Sequence, residues 1–251
     1  MFGILIHIIQ DSFNGHIFDV IQTPFGPEDD TINSNVLVHR GFNQALFMKG
    51  NEVGEDSLFD NVLRTIKDVV TEHPEYKVIS TGHSTGAALS VLMGVGLSVF
   101  NVAEEVTVNS FAAPLTGDQA FKDYVDSMDG LGVWNHILLN DIVPRFPRES
   151  WHYRHPGHTV WFKKHHAYAF YLHYGDVNFG YIGVPEDFEK GPFSFDIHLC
   201  HNYVEYMQEK SLEDPSEFYV ESFLQGSRNS RLPPRFIGFG DPSESGHVAA
   251  A

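Results

Sequence analysis

The chain has 251 residues, enough for one large α/β domain with a well-buried core. Its 42% hydrophobic and 14% aromatic content, with 21 Phe, is that of a globular protein and excludes a disordered or fibrous one. A formal net charge of −17 argues against nucleic acid and anionic membranes as partners, while a neutral lipid surface stays open because apolar burial does not depend on net charge.

Fifteen His residues can offset much of that charge below about pH 6. Cys200 is the single cysteine, so no intrachain disulfide is possible. One Cys and no recognisable signal peptide favour a cytoplasmic location. No apolar run reaches the roughly 18 residues needed to cross a bilayer. Oligomeric state is left open.

In chain order, residues 3–9 read as a core strand, since the apolar start lacks a basic leader and a small-residue cleavage site. Phe13, Ile17, Val20 and Ile21 follow at helical spacing, as a short amphipathic segment. Residues 24–35 read as a polar loop with Pro24, Gly26, Pro27 and successive acids. Asp56 and Ser57 start a helix with the apolar face Leu58, Val62, Leu63, Ile66, Val69 and Val70, ended by His73 and Pro74. Tyr76 to Thr81 is a buried strand, and residues 84–103 hold a turn and then a buried helix. Val106 to Phe111 is a strand, Gln119 to Ser127 a helix, and Gly132 to Leu139 a strand. Asn202 to Glu209 is helix-like. Strands alternating with helices predict a parallel sheet with helices on both faces. Residues 1–226 form one domain, and residues 227–251 are a Pro-, Gly- and Ser-rich tail expected to be partly disordered. The bland reading of Arg228, Arg231 and Arg235 is a solvated tail.

Between the strand and the buried helix stands Gly82-His83-Ser84-Thr85-Gly86. The bare Gly-x-Ser-x-Gly pattern is weak in a chain this rich in Gly and Ser; strand, tight turn and helix make it a nucleophile elbow. The strained turn asks that Gly82 and Gly86 lack a Cβ. Ser84 would then stand exposed at its tip, with the Thr85 N–H aimed at a developing oxyanion. His83 reads as a packing and hydrogen-bonding residue under the elbow rather than a second base. Acyl transfer by Ser needs a base and an acid that orients it. In this architecture the acid follows at a strand end, where Asp141 lies, and then the His. The second half holds His152, His155, His158, His165, His166, His173, His198 and His201. His198 and His201 are preferred, because they precede a helix-like run late in the chain.

These residues resemble the class 3 (fungal-type) lipase family of α/β-hydrolases. Val38-His39-Arg40-Gly41-Phe42 is similar to the family's Val-His-x-Gly-Phe, and Thr81 to Leu89 to its elbow, with Thr85 for Leu and Ala87 for Gly. Asn109 to Pro114, Gly117 to Phe121, Leu139 to Arg145, Tyr153 to Trp161 and Asp196 to Tyr203 resemble further motifs in the same order. The resemblance runs from about residue 10 to about 206. It implies the α/β-hydrolase fold, a catalytic set of Ser84, Asp141 and His198, with His198 rather than His201, and no cofactor. It also implies a lid over Ser12 to Pro24, with Phe13, Ile17, Val20 and Ile21 as its apolar face. The family's oxyanion strand ends Phe-Arg-Gly-Ser/Thr; counting back puts Gln10 at its last position, with Ile8 and Ile9 where Arg-Gly would be. The family's preceding strands and helix have no counterpart here. The chain is therefore expected to be N-terminally truncated, with an uncovered sheet edge; a missing segment leaves secretion or an organelle open.

The expected activity is a serine ester hydrolase, a lipase acting on acylglycerols, with a phospholipase A1-type or short-ester esterase as alternatives. A different class of reading is an inactive lipid-binding or interaction module, favoured by the altered oxyanion strand. A metal site from His152, His155 and His158, or from His165 and His166, is set aside: the first three do not share a helical face, Pro156 interrupts them and no Cys supports them.

Overall fold

The computed structural model describes residues 21–28, 30–49, 55–147, 152–162 and 192–209, together with the backbone of 166–171, 210–212 and 219–222. The strand expected over residues 3–9, most of the amphipathic segment and the tail lie outside these residues. Among the described residues six strands form the main sheet, in the order β3 (Val78–His83), β4 (Val106–Phe111), β5 (Leu131–Leu138), β6 (His158–Phe162), β7 (His166–Tyr171) and β8 (Tyr219–Ser222). The first four run parallel, with Ser80 beside Val108 and Asn109 beside Trp134; β7 is antiparallel to β6, and β8 parallel to β7. Among the described residues β3 is an outer strand of this sheet. A separate antiparallel pair joins β1 (Gln22–Phe25) and β2 (Asn33–His39), with Thr23 opposite Val38.

Alternation along the strands creates two cores. Val106, Val108 and Val133 face α3 (Thr85–Val99), together with residues from α1 (Arg40–Phe47), α2 (Leu58–Glu72) and α4 (Gln119–Asp126). Trp134 and Leu138, one pleat over on β5, join Val160 and Phe162 in a second core against Tyr203 of α5 (Cys200–Leu212). Helices therefore cover both faces. Helix α3 carries ten buried residues from Ala87 to Leu97, which is why its sequence is apolar all round rather than on one stripe. It lies tight on β4, since a Cβ on Gly94 would stand 2.3 Å from Val108 Cγ2.

Several elements differ from expectation. Residues 24–35 are not one loop: Pro24 and Phe25 belong to β1 and Asn33 opens β2. Pro24 is tolerated because β1 is one strand of a two-stranded pair with an outer edge. The elbow strand runs two residues later than predicted, through His83. On α2, Leu58 is 50% exposed and Phe59 is the buried residue, so the apolar face is turned by one position at its start. Helix α5 begins at Cys200 and ends at Leu212, longer at both ends than the run read from sequence.

Candidate active site

Ser84 sits between β3 and α3 with φ 58° and ψ −126°, a conformation that non-glycine residues rarely adopt. Its N–H donates to the Phe111 carbonyl at 2.9 Å, pinning the turn to the end of β4. A Cβ on Gly82 would lie 2.3 Å from the Gly86 carbonyl oxygen, so only glycine fits there. The same requirement does not hold at Gly86: a Cβ there would meet nothing within 4 Å, because that position faces open space. Thr85 is the first residue of α3, and its N–H is one of the four that a helix leaves without an intrahelical acceptor.

Asp141 lies just past the end of β5, after a turn in which Leu139 takes φ 46°. Its side chain is fully buried. Three donors offset that desolvation: Val143 N–H to Oδ1 at 2.9 Å, and His198 Nδ1 and the Tyr203 hydroxyl to Oδ2 at 3.0 and 2.7 Å. His198 arrives from far along the chain, and backbone pairing brings it here. Ser194 N–H donates to Asn140 O at 2.9 Å and Ile142 N–H to Ser194 O at 3.3 Å, stitching the His198 segment beside Asp141. The other imidazole nitrogen, Nε2, lies 2.8 Å from Ser84 Oγ. Because the carboxylate only accepts, Nδ1 carries the proton and Nε2 is left to accept from the Ser84 hydroxyl.

Ser84, Asp141 and His198 are thus brought into one hydrogen-bonded line, whereas His201 is exposed on α5 and takes no part in it. Tyr203 had no role assigned from sequence. Its hydroxyl also accepts from Leu138 N–H at 3.0 Å, and burial, followed by the Asp141 charge, pushes its pKa well above the usual phenol value. It therefore remains a donor. No local pattern marks it, because its partners are 62 and 65 positions away. His83 packs on His198 and hydrogen-bonds to its backbone, while its Nε2 is buried with no hydrogen-bond partner among the described residues. Gln10, Phe13, Ile17 and Val20 lie outside the described residues. Ile21 is half exposed, and its carbonyl accepts from Arg40 N–H and the Tyr153 hydroxyl.

Three further described histidines are drawn into packing, while His152 is exposed and His165 and His173 lie outside the described residues. His155 Nε2 meets the Pro144 carbonyl at 3.0 Å, and His158 stacks on Trp134. His136 lies against Phe111 and reaches Asn109 Oδ1 at 3.2 Å. Burial lowers the pKa of His136 and His155 to about 4 and also lowers that of His158. Among the described residues no group of His, Cys, Asp or Glu is arranged to hold a metal ion, and no helix is long and apolar enough to cross a membrane.

The family model for class 3 lipases matches residues 14–151, more than half of the chain. The lipase of Rhizopus niveus is 28% identical over 156 residues, covering 61% of this chain and 36% of the relative. A secreted mono- and diacylglycerol lipase of Malassezia globosa is 27% identical over 154 residues, covering 60% and 48%. The solved lipase of Rhizopus microsporus var. chinensis aligns at 28% identity with a TM-score of 0.46, covering 60% of this chain and 49% of that one. The chain spans about half the length, or less, of the relatives it matches. The Malassezia relative is named as secreted, so the cytoplasmic expectation gains no support from it. With a matched stretch that includes the elbow and Asp141, on a sheet of four parallel strands covered by helices on both faces, the chain belongs to the class 3 lipase family and has the α/β-hydrolase fold.

Proposed function

We propose that this chain is a carboxylic ester hydrolase, with Ser84 as nucleophile, His198 as general base and acid, and Asp141 as the group that orients His198. The reading rests on one observation above all: Ser84 Oγ, His198 Nε2, His198 Nδ1 and Asp141 Oδ2 follow one another at 2.8 and 3.0 Å. His198 takes the Ser84 proton as Oγ attacks the ester carbonyl, then gives it to the departing alkoxide, leaving an acyl-enzyme. Water, deprotonated by His198, attacks that acyl group, and Ser84 leaves with the proton. The Thr85 N–H stabilises the oxyanion in both steps. Gln10 N–H is assigned as the second donor; such donors are each worth roughly 10²–10³ in rate.

The substrate class proposed is an acylglycerol. Phe195 and Leu199, on either side of His198, are about half exposed and give the rim of the site an apolar character suited to acyl chains. The segment Phe13, Ile17, Val20 and Ile21 is assigned as a cover that turns this rim toward a lipid surface when it opens. Hydrolysis of a p-nitrophenyl ester series and of emulsified triolein tests the reading, with Ser84→Ala in parallel. Activity confined to the Ser84 protein, rising with acyl length and extending to triolein, is expected. Preference for the shortest esters would make it an esterase. A folded protein that neither turns over esters nor reacts with a fluorophosphonate would overturn the hydrolase reading in favour of an inactive module.

A further inference from the structure

Two hydrogen bonds, to Ser84 Oγ and Asp141 Oδ2, hold the His198 ring along one line and leave its plane free to rock about that line. A contact off the line removes that freedom. The His83 ring makes one: its centroid lies 4.8 Å from that of His198, with the planes 33° apart, within the range of aromatic stacking. His83 is itself supported, since Tyr203 meets it edge-on at 5.5 Å while holding Asp141 through its hydroxyl. His83 closes β3 and Ser84 follows it directly, so the nucleophile and this support ride on the same backbone. Burial and the neighbouring His198 ring lower the His83 pKa, outweighing the opposite pull of the His198 backbone and the Asp141 charge. It is thus the neutral ring that faces His198 when a proton arrives there.

We propose that His83 is a positioning residue for His198: its ring is the surface on which His198 rests while Nε2 takes and returns the Ser84 proton. The inference rests on the reading of Ser84, His198 and Asp141 as the catalytic set. Nε2 of His83 has no hydrogen-bond partner among the described residues, so a flat apolar ring keeps the stacking surface and gives up only the hydrogen bond to the His198 backbone.

His83→Ala and His83→Phe test this against wild type, with Ser84→Ala as the blank. On a short p-nitrophenyl ester, Ala is expected to lose roughly 10–100-fold in kcat with KM little changed, as displaced catalytic groups do, and Phe to regain about tenfold of the loss. Thermal melting confirms that both variants fold; if Ala does not, His83→Gln, which lacks a flat ring, takes its place. Wild-type kcat in the Ala variant, or a Phe variant as slow as Ala, overturns the inference. A wild type that hydrolyses nothing sinks the hydrolase reading instead. The inference is then read by proton NMR from the His198 Nδ1 proton: sharp in wild type and Phe but broadened in Ala supports it, and identical signals in all three overturn it.

Discussion

The Tyr203 hydroxyl sits between a carboxylate and a backbone amide, giving its proton to Asp141 and accepting from Leu138 N–H. Tyr203→Phe leaves both groups short of a partner in a buried place, at a cost of about 1–3 kcal/mol in stability. We expect the variant to unfold at lower urea and to turn over esters roughly tenfold more slowly, equivalent to about 1.4 kcal/mol; wild-type behaviour in both assays would remove Tyr203 from the site. The elbow glycines separate in a second test. Gly82→Ala drives a Cβ into the Gly86 carbonyl and is expected to abolish fluorophosphonate labelling of Ser84. Gly86→Ala meets open space within a helix and is expected to be neutral or to raise stability by up to about 1 kcal/mol. At this scale Ser84 and Asp141 were legible, because a motif and a strand end mark them. Position late in the chain narrowed eight histidines to His198 and His201, resemblance alone favoured His198 of the two, and Tyr203 was not marked at all.

Helix α2 is an element whose start the sequence announces. The Ser57 hydroxyl accepts from Asp60 N–H and the Asp60 carboxylate from Ser57 N–H, both at 3.1 Å, closing a capping box. Ser57→Ala should cost about 1 kcal/mol, seen as a lower denaturant midpoint with an unchanged slope; an unchanged midpoint would mean that the cap adds nothing here. Elements with a local start signal or a compact apolar run were found within a residue or two, as α2, β4 and β5 show, whereas the helix read within residues 84–103 ends four residues earlier, at Val99. The β1/β2 pair was lost because Pro24 and the acids between the strands give a loop-like composition. What makes residues 22–25 a strand is its pairing with residues 33–39, a contact that propensity does not contain.

Across the whole molecule, neutral buried imidazoles make acid the weak side. His136 and His155 have folded pKa values of about 4 against an unfolded value of about 6.5. Below about 6.5 the unfolded chain therefore binds protons that the folded one refuses. Their contribution is complete above that pH and lost as pH falls toward 4, at most about 3 kcal/mol for each. Urea unfolding at pH 7.5 and pH 5 should show the drop, and His136→Phe, which keeps a flat ring beside Phe111 and Phe162, should flatten the slope. An equal slope in that variant would place the acid sensitivity elsewhere. The sequence by itself determined the alternation of strands and helices, the elbow and the acid at a strand end, because these follow from periodicity and backbone preference over a few residues. Only the tertiary structure decided which His meets Ser84 and that Tyr203 shares Asp141. Those contacts join residues 57 to 114 positions apart, and they exist only once the parallel strands lie side by side and Ser194 draws the last segment in beside Asn140.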